Sequence, residues 1–471
     1  MKNIQIPYEL KKMNEIFCSN GFKAYLVGGA VRDTILKKEV SDWDITTDAT
    51  PQQVIKMFKK VIPTGINHGT VTVHFMKKEI EVTTFRADQG YSDGRHPDKV
   101  VFAKTVEEDL SRRDFTMNAI AADLRDGKII DPHNGQEDIK KKIIRTVGIA
   151  HERFMEDGLR PLRALRFASQ LNFSIEKCTY SEIFEEEVQK RIASVSLERF
   201  RDEFEKILFS PVPSVGLRLM EETGVLKIFI PELSECRGVT QKDARGFHNF
   251  DVLDHCISAC DGAPKENLTV RYAALFHDIG KKDTREVVFK SDPQNPNNKV
   301  KIIHFFRHEI YSEKIARKIL TRIKLSNAAV NQICHLVLEH MFHYESSWSD
   351  ASVRRFIVKV GRENIDDLFA LRLADSFGKD GNPILLESPV RKELRELMER
   401  IEKIDSESNA LSLKDLAVNG KDLISAGIAP GKAMGTILKE LFQCVLDDPS
   451  MNTKEALLKV ALNLNKKITQ N

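Results

Sequence analysis

The sequence predicts an α+β fold, in which an N-terminal α/β head with a small mixed or antiparallel sheet precedes an all-α neck, body and tail. The segment Ala24 to Gly28 is a short apolar run that ends in glycines, and Thr70 to Phe75 and Ile80 to Phe85 alternate apolar with polar residues, as strands do. From Gly135 onward the apolar residues recur at helical spacing. We therefore expect the sheet to lie within the first 135 or so residues.

The composition is that of a globular protein. Of the 471 residues 41% are hydrophobic, which provides sizeable cores and excludes disorder as the main state. No apolar stretch approaches the roughly 18 residues of a membrane span, and the first residues lack the apolar centre of a secretory signal. Seven singly placed cysteines without a CxxC pair are typical of a reducing compartment. We expect a cytoplasmic protein without a membrane partner.

Formal charge does not decide the question of a nucleic-acid partner. There are 72 Lys and Arg against 69 Asp and Glu, a net charge of +3. A small total still permits local basic tracks, such as Lys140 to Lys142 and the arginines at positions 160, 163 and 166.

The first candidate site in the chain combines a glycine turn with carboxylates. Gly28 and Gly29 follow the first predicted strand, where they either let the backbone approach a phosphate or only form a tight turn. Asp42 and Asp44 are two residues apart, so on a strand both point to one face, where a divalent cation would relieve their repulsion. Glu81 on a later strand is the predicted third carboxylate. The alternative is an exposed strand with solvated acids.

Successive segments of the first half of the chain resemble a known family. GGAVRD, SDWDI, VTTFR, EEDLSRRDFTMNAI and RFMEDGLRPLRALRF are similar to the motifs of the class II tRNA nucleotidyltransferases, the CCA-adding and poly(A)-polymerase family of the DNA polymerase beta superfamily. The resemblance covers about residues 22 to 209, and a second one, Leu416 to Leu441, is to the tRNA-contacting tail of the bacterial enzymes.

The resemblance implies an activity, partners and a division of the chain. Family members add C, C and A to the 3′ end of tRNA from CTP and ATP, without a template, by two-metal transfer with release of pyrophosphate. The resemblance implies that Asp42 and Asp44 hold Mg²⁺ and that Glu81 is the third catalytic carboxylate. It also implies that tRNA is bound through its acceptor stem and 3′ end. No obligate protein partner is evident. The predicted parts are a catalytic head (1–137), a base-reading neck (138–209), a helical body (210–400) and a tRNA-anchoring tail (401–471).

Base reading is assigned to the neck. The recognition motif of the family corresponds here to residues 156–160, in which Asp157 can accept from an exocyclic amino group and Arg160 can donate to ring nitrogen or carbonyl acceptors, as C and A require. Further nucleotide-binding residues implied by the resemblance are Gly28, Gly29, Arg32, Arg113, Asp114, Asn118, Arg163 and Arg166. An alternative for the three neck arginines is a basic helix surface that pairs with Glu185 to Glu187.

The loop Asp88 to Pro97 bears on the product. In this family a flexible loop here is associated with the switch from C to A addition, so its presence favours addition of CCA, or of A alone. The remaining alternatives are a CC-adding enzyme and a poly(A) polymerase.

Histidines in the middle of the chain resemble a second pattern, that of HD metal-dependent phosphohydrolases, over about residues 248–380. The resemblance implies a divalent metal (Mg, Mn, Ni or Fe) and, if the site is active, hydrolysis of a 2′,3′-cyclic phosphate or a 2′-phosphate on RNA. A degenerate, purely structural HD fold is the alternative. His304 and His308 compete for one ligand position, and His308 fits the pattern better. The full set of implied ligands is His255, His277, Asp278, His308, His340 and Asp375.

Overall fold

The computed structural model describes residues 3–40, 42–87, 101–243, 249–291, 298–407 and 411–469. The chain forms two compact units, Met1–Ser234 and Glu235–Asn471. The sequence predicts the end of the neck at residue 209, whereas the boundary between the two units follows Ser234. The division of the chain into head, neck, body and tail stays a prediction.

A mixed sheet organises the first unit. The strands of this unit are β1 (Ala24–Val27), β2 (Trp43–Thr47), β3 (Val61–Gly65), β4 (Thr70–Phe75), β5 (Lys78–Thr84), β6 (Ala121–Asp123), β7 (Ile129–Ile130), β8 (Ile143–Ile144) and β9 (Ser174–Ile175). The order in the sheet is β3-β4-β5-β2-β1-β6-β7, and β2 runs parallel to β5 while the other neighbours are antiparallel. A separate short pair is formed by β8 and β9.

The three strands predicted from the sequence are present as β1, β4 and β5. All four residues of β1 are buried, which agrees with its unbroken apolar run and its place between β2 and β6 inside the sheet. In β4 the two valines are buried and the residues on either side of each are half-buried, as the alternation predicts. The expected α+β architecture with a mixed sheet is confirmed.

Helices surround this sheet and continue beyond it. The first one buries Leu10, Met13 and Phe17, and the centre of the Phe17 ring lies 5.3 Å from that of Phe58. The helices of the first unit are α1 (Tyr8–Ser19), α2 (Gly29–Ile35), α3 (Pro51–Met57), α4 (Val106–Ser111), α5 (Gly135–Lys141), α6 (Ala150–Glu156), α7 (Leu159–Leu171), α8 (Lys177–Glu182), α9 (Glu186–Ala193), α10 (Leu197–Leu208), α11 (Pro213–Glu222), α12 (Val225–Phe229) and α13 (Pro231–Ser234).

In its described residues, the second unit is helical apart from one hairpin. Its helices are α14 (Val252–Gly262), α15 (Leu268–Phe276), α16 (Lys281–Thr284), α17 (His308–Arg322), α18 (Asn327–Glu339), α19 (Asp350–Val360), α20 (Ile365–Gly378), α21 (Pro389–Ser406), α22 (Gly420–Ser425), α23 (Lys432–Asp447) and α24 (Lys454–Thr469). The α14 helix packs on α15 and α20, and α15 packs on α18. The last three helices enclose an apolar cluster of their own, which includes Ile437, Leu441 and Leu457.

The hairpin is an addition to the helical body that the sequence predicts. It consists of β10 (Arg285–Ser291) and β11 (Lys299–Phe305), paired antiparallel over their whole length. The composition of the polar Pro- and Asn-rich segment between them predicts a loop, and residues 292–297 lie outside the described part of the chain. Valine and isoleucine before and after that loop were the signal for strands, since β-branched residues on either side of a turn favour a hairpin.

Candidate functional site

Two strands of the first unit bring the predicted carboxylates together. In the parallel pairing of β2 with β5, Asp44 and Glu81 are register partners, and Asp42 immediately precedes Trp43, the first residue of β2. Burial and the Glu81 carboxylate raise the pKa of Asp44 to about 6, and Asp42 acts in the same direction. Carboxylates that repel one another in this way form a hard oxygen donor set, which fits a divalent cation such as Mg²⁺.

The turn before α2 places the main chain against this carboxylate cluster. Gly28 has a φ of +68°, which favours glycine, and a Cβ atom there would lie 3.1 Å from Arg113 Nη1 and 3.8 Å from Asp44 Oδ2. Any side chain at position 28 would therefore crowd the arginine beside the carboxylates. Gly29 is the first residue of α2.

A buried carboxylate holds that arginine in place. Asp109 on α4 is fully buried and accepts hydrogen bonds from Arg113 Nη2 (3.0 Å), Arg112 Nη2 (2.7 Å) and the backbone N–H of Arg86 (3.2 Å). Burial acts to raise the pKa of Asp109, but the guanidinium groups of Arg113 and Arg112 outweigh it and lower the pKa. Sequence reasoning missed this residue, although its i,i+3 and i,i+4 spacing to the two arginines was a signal.

Four of the predicted nucleotide-binding residues form one chain of hydrogen bonds. Arg32 donates to Asn118 Oδ1 (2.7 Å), Asn118 donates to Asp114 Oδ1 (3.1 Å), and Arg163 donates to Asp114 Oδ2 (2.8 Å). Burial would raise the pKa of Asp114, but Arg163 and the Asn118 amide lower it to about 2. Asp114 therefore stays ionised and connects the strand-bearing part of the unit to α7.

The predicted base-reading residues are held by partners of their own. Asp157 Oδ2 accepts from Arg199 on α10 (2.7 Å) and its Oδ1 accepts from the backbone N–H of Leu159 (2.9 Å). Arg160 pairs with Glu156 and donates to the carbonyl oxygen of Arg112 (3.1 Å). Arg199 is a residue that the sequence analysis missed, because it lies 42 positions from its partner.

The third neck arginine is buried in an ion pair. Arg166 is 7% exposed and pairs with Glu203, which is 3% exposed, while its guanidinium carbon lies 3.8 Å from the centre of the Phe167 ring. Arg160, Arg163 and Arg166 thus pair with Glu156, Asp114 and Glu203 respectively. Within the described residues, none of them pairs with Glu185 to Glu187, so the alternative of a surface ladder to those acids is wrong.

The buried pair leads to a stability prediction. We expect Glu203→Ala to lower the free energy of unfolding of the first unit by about 3 to 5 kcal/mol, because it leaves the Arg166 charge buried without its carboxylate. The chain has two tryptophans, so urea unfolding followed by Trp43 fluorescence in a Trp348→Phe background reports on the first unit alone. Glu198→Ala, an exposed change on the same helix, is the matched control. A loss below about 1 kcal/mol would contradict the prediction.

Histidines of the second unit converge at a second site, far along the chain from the first. They come from α14, from the ends of α15 and α18 and from the start of α17, and an aspartate of α20 joins them. His304 lies instead on β11, where its ring stacks on Phe306 with the ring centres 4.9 Å apart. The buried cluster comprises His255, His277, Asp278, His308, His340 and Asp375.

Comparison with known proteins places the chain in a family. It is 33% identical to the CCA-adding enzyme of Lactobacillus johnsonii over 463 residues, which is 96% of each chain. The chain belongs to the CCA-adding enzymes. The CCA-adding enzyme of Ligilactobacillus salivarius is 32% identical over 466 residues, 98% of each chain. As a member of this family the protein is an enzyme, a tRNA nucleotidyltransferase.

Solved structures and family models agree with this membership. The CCA-adding enzyme of Bacillus stearothermophilus in complex with CTP has a TM-score of 0.73 to this chain at 29% identity, with 98% of each chain covered. The model "Poly A polymerase head domain" matches residues 24–145, and "Probable RNA and SrmB-binding site of polymerase A" matches residues 172–236. A model of tRNA nucleotidyltransferase domain 2 matches residues 295–461.

The remaining predictions concern the loop Asp88 to Pro97, membrane association and the cysteines. The loop Asp88 to Pro97, which bears on the switch from C to A addition, lies outside the described residues. Among the helices that the structure describes, none is long and apolar enough to cross a membrane. None of the seven cysteines, all of which the structure describes, forms a disulfide bond.

Proposed function

We propose that this CCA-adding enzyme completes the 3′ end of tRNA from CTP and ATP, with the first unit as the catalytic part. The observation that carries the proposal is a single cavity of about 450 Å³ lined both by the carboxylates Asp44 and Glu81 and by the base-reading pair Asp157 and Arg160. Its volume is in the range of small-molecule sites. The chemistry and the choice of base then occur on one bound nucleoside triphosphate.

The reaction is nucleotidyl transfer to the terminal ribose. The tRNA 3′ hydroxyl forms a bond to the α phosphorus of the nucleotide, and the bond from that phosphorus to pyrophosphate breaks. Asp42, Asp44 and Glu81 are the residues that would hold Mg²⁺, which when bound activates the hydroxyl and neutralises the phosphates. Arg113, fixed by Asp109, and Arg163, fixed by Asp114, supply positive charge at the same cavity for the triphosphate.

The neck residues select the base. The carboxylate of Asp157 has lone pairs beyond those used by Arg199 and Leu159, so it can accept from the amino group that C and A both carry. Arg160 can donate to an acceptor on the same edge of the base. U and G present the opposite pattern at these positions and would leave polar groups unpaired. We assign the tail, 401–471, to anchoring of the tRNA and propose the cytoplasm as the location.

One assay tests this function. Transcripts of one tRNA that lack three, two, one or none of the terminal nucleotides are incubated with labelled CTP and ATP separately and together. With one nucleotide present, we expect addition of C to the two shorter transcripts from CTP and addition of A only to the transcript that ends in CC from ATP. With both present, all three shortened transcripts should be completed to CCA, and the complete tRNA should not be extended. Long A tracts on any RNA would instead identify a poly(A) polymerase. Arrest after CC, or addition of A alone, would identify a partial enzyme.

A second candidate function is supported by the histidine cluster. We propose that it binds a divalent metal of the Mg, Mn, Ni or Fe type and hydrolyses a phosphate ester at an RNA end, a 2′,3′-cyclic phosphate or a 2′-phosphate. Water would add to phosphorus, one P–O ester bond would break, and the released alcohol would take up the proton. The phosphohydrolase proposal is supported if hydrolysis persists after substitution of Asp42 and Asp44 and disappears in His277→Ala. It is contradicted if phosphate release requires the head carboxylates.

A further inference from the structure

Two threonine hydroxyls lie beside the carboxylates of the first unit and have no role yet in the reaction. Thr83 follows Glu81 by two residues on β5, so both side chains lie on the same face of the sheet. Thr70 is the register partner of Thr83 on β4, and the two Oγ1 atoms lie 3.0 Å apart. Both threonines line the cavity of about 450 Å³ that Asp44 and Glu81 also line.

This threonine pair keeps hydrogen-bonding capacity for a ligand. A bond between two hydroxyl groups uses one O–H, whichever group donates, and the other O–H has no acceptor among the described residues. Both residues are half-buried, and the carbonyl oxygen of Thr83 accepts from Thr46 Oγ1 (3.1 Å), which fixes the strand behind the pair. The pair can therefore donate one hydrogen bond and accept others within the cavity, as a sugar hydroxyl requires.

A second cavity adjoins the first one at Asp44. It has a volume of about 440 Å³ and is lined by Gly28, Gly29, Arg32 and Asp42. Asp44 lines both cavities and so marks their junction. The glycine turn lets the main chain approach a phosphate, and Arg32 adds positive charge, so the second cavity suits the β and γ phosphates of the nucleotide.

The geometry of phosphoryl transfer then fixes the side from which the tRNA enters. The attacking and leaving oxygens lie roughly in line, on opposite sides of the reacting phosphorus. With pyrophosphate leaving toward Arg32, the 3′ hydroxyl approaches from the Glu81 side, where Thr83 lies on the same face of the strand. Two residues of a strand span roughly 7 Å, a distance that one ribose with its hydroxyl groups can bridge.

We propose that Thr70 and Thr83 bind the 2′ hydroxyl of the terminal ribose of the tRNA and so hold its 3′ hydroxyl beside Glu81. This inference rests on the proposed function of the first unit and adds the residues that recognise the acceptor. The terminal base is not the same at every addition, whereas each acceptor ends in the same 2′,3′-diol. Recognition of the diol therefore serves all three additions and distinguishes an RNA end from a DNA end.

A cycle of enzyme and substrate variants tests this contact. The enzyme variant is Thr70→Val with Thr83→Val, and the substrate is tRNA that ends in CC, with either a ribose or a 2′-deoxyribose at the last position. With the ribose end, kcat/KM for addition of A should fall about three- to tenfold in the variant, the range of one neutral hydrogen bond. With the 2′-deoxy end, variant and parent should agree within about twofold, because the contact is already absent.

The cycle separates this contact from a structural role and from the chemistry of the sugar. The missing 2′ oxygen changes the reactivity of the 3′ hydroxyl equally in both enzymes, so that this effect cancels. An equal loss with both ends would overturn the proposal. The matched control is Thr64→Val, which breaks a second threonine pair, with Thr72 (3.0 Å), between β3 and β4. Thr64 does not line the cavity, and its variant should match the parent with both substrates.

A further arm distinguishes the acceptor ribose from that of the incoming nucleotide. The ratio of kcat/KM for ATP over 2′-deoxyATP, measured on the tRNA with the ribose end, should be the same in the parent and in the double variant. A ratio that falls toward one in the variant would place the pair on the nucleotide and overturn the proposal. Failure of the parent to extend tRNA would contradict the proposed function, whereas extension that does not depend on the pair would contradict the acceptor contact alone.

Discussion

Asp44→Asn is expected to reduce the incorporation of both CTP and ATP into tRNA by a factor of about a thousand or more, with tRNA affinity nearly unchanged. Asp44 is the most enclosed of the three carboxylates and is the register partner of Glu81, so its loss removes the centre of the proposed metal site. Asp42→Ala and Asp44→Ala should have the same effect. Initial rates with labelled nucleotides and a filter-binding assay with tRNA measure the two quantities.

A matched pair of glutamates on one strand sharpens this test. Glu81→Gln should also abolish incorporation, whereas Glu79→Gln should leave it within about twofold of the parent. Glu79 is on the same face of β5, two residues away, and its side chain is 74% exposed. Normal extension by the Asp44 variants, or an equal loss in both glutamate variants, would reject the assignment of the catalytic carboxylates.

Asp157→Ala is expected to lower the preference for CTP over UTP by about ten- to a hundredfold, the range of a lost hydrogen bond to a charged group. The reason is that U carries a carbonyl where C carries an amino group, so that only the carboxylate distinguishes them at this position. The ratio of kcat/KM for the two nucleotides, measured on tRNA that lacks CCA, reports this quantity directly. An unchanged ratio would remove Asp157 from base recognition.

Arg199 is expected to influence base selection only through Asp157, whose carboxylate it orients. Variants of Arg199 therefore test this positioning role. Arg199→Ala should lower the same preference to a smaller extent, because Asp157 keeps its bond to the Leu159 N–H but loses the guanidinium that orients Oδ2. Arg199→Lys should restore part of the preference, and Glu198→Gln, an exposed change beside it, should have no effect. A structural role of Arg199 alone would lower the rates for CTP and UTP equally and leave their ratio unchanged.

Local patterns in the sequence predicted three strands of the first unit, among them β5, which carries Glu81. The apolar run of β1 and the alternation in β4 and β5 are properties of consecutive residues, so they were predictable without any knowledge of the fold. The motifs of the head were recognisable for the same reason, since each is a short continuous segment.

Partners of these residues depend on the tertiary structure. Asp109 could be noticed from its spacing to Arg112 and Arg113, but its burial could not, and Arg199 and Glu203 lie about 40 positions from the residues that they hold. No periodicity relates two segments that far apart, because the packing of α10 on α7 decides which side chains meet.

By itself, the sequence determined that the chain has an α/β head with a carboxylate pair, a segment that resembles the base-reading motif of the family, and a set of histidines and aspartates. Only the tertiary structure decided which of them meet: that Glu81 stands opposite Asp44, and that His308 and not His304 joins the histidine cluster. It also decided that two groups of candidate ligands, His255 with His277 and His308 with His340, share Asp278. The physical reason is that side-chain type and local period are written along the chain, whereas strand register and helix packing are fixed by burial of distant apolar faces against one another.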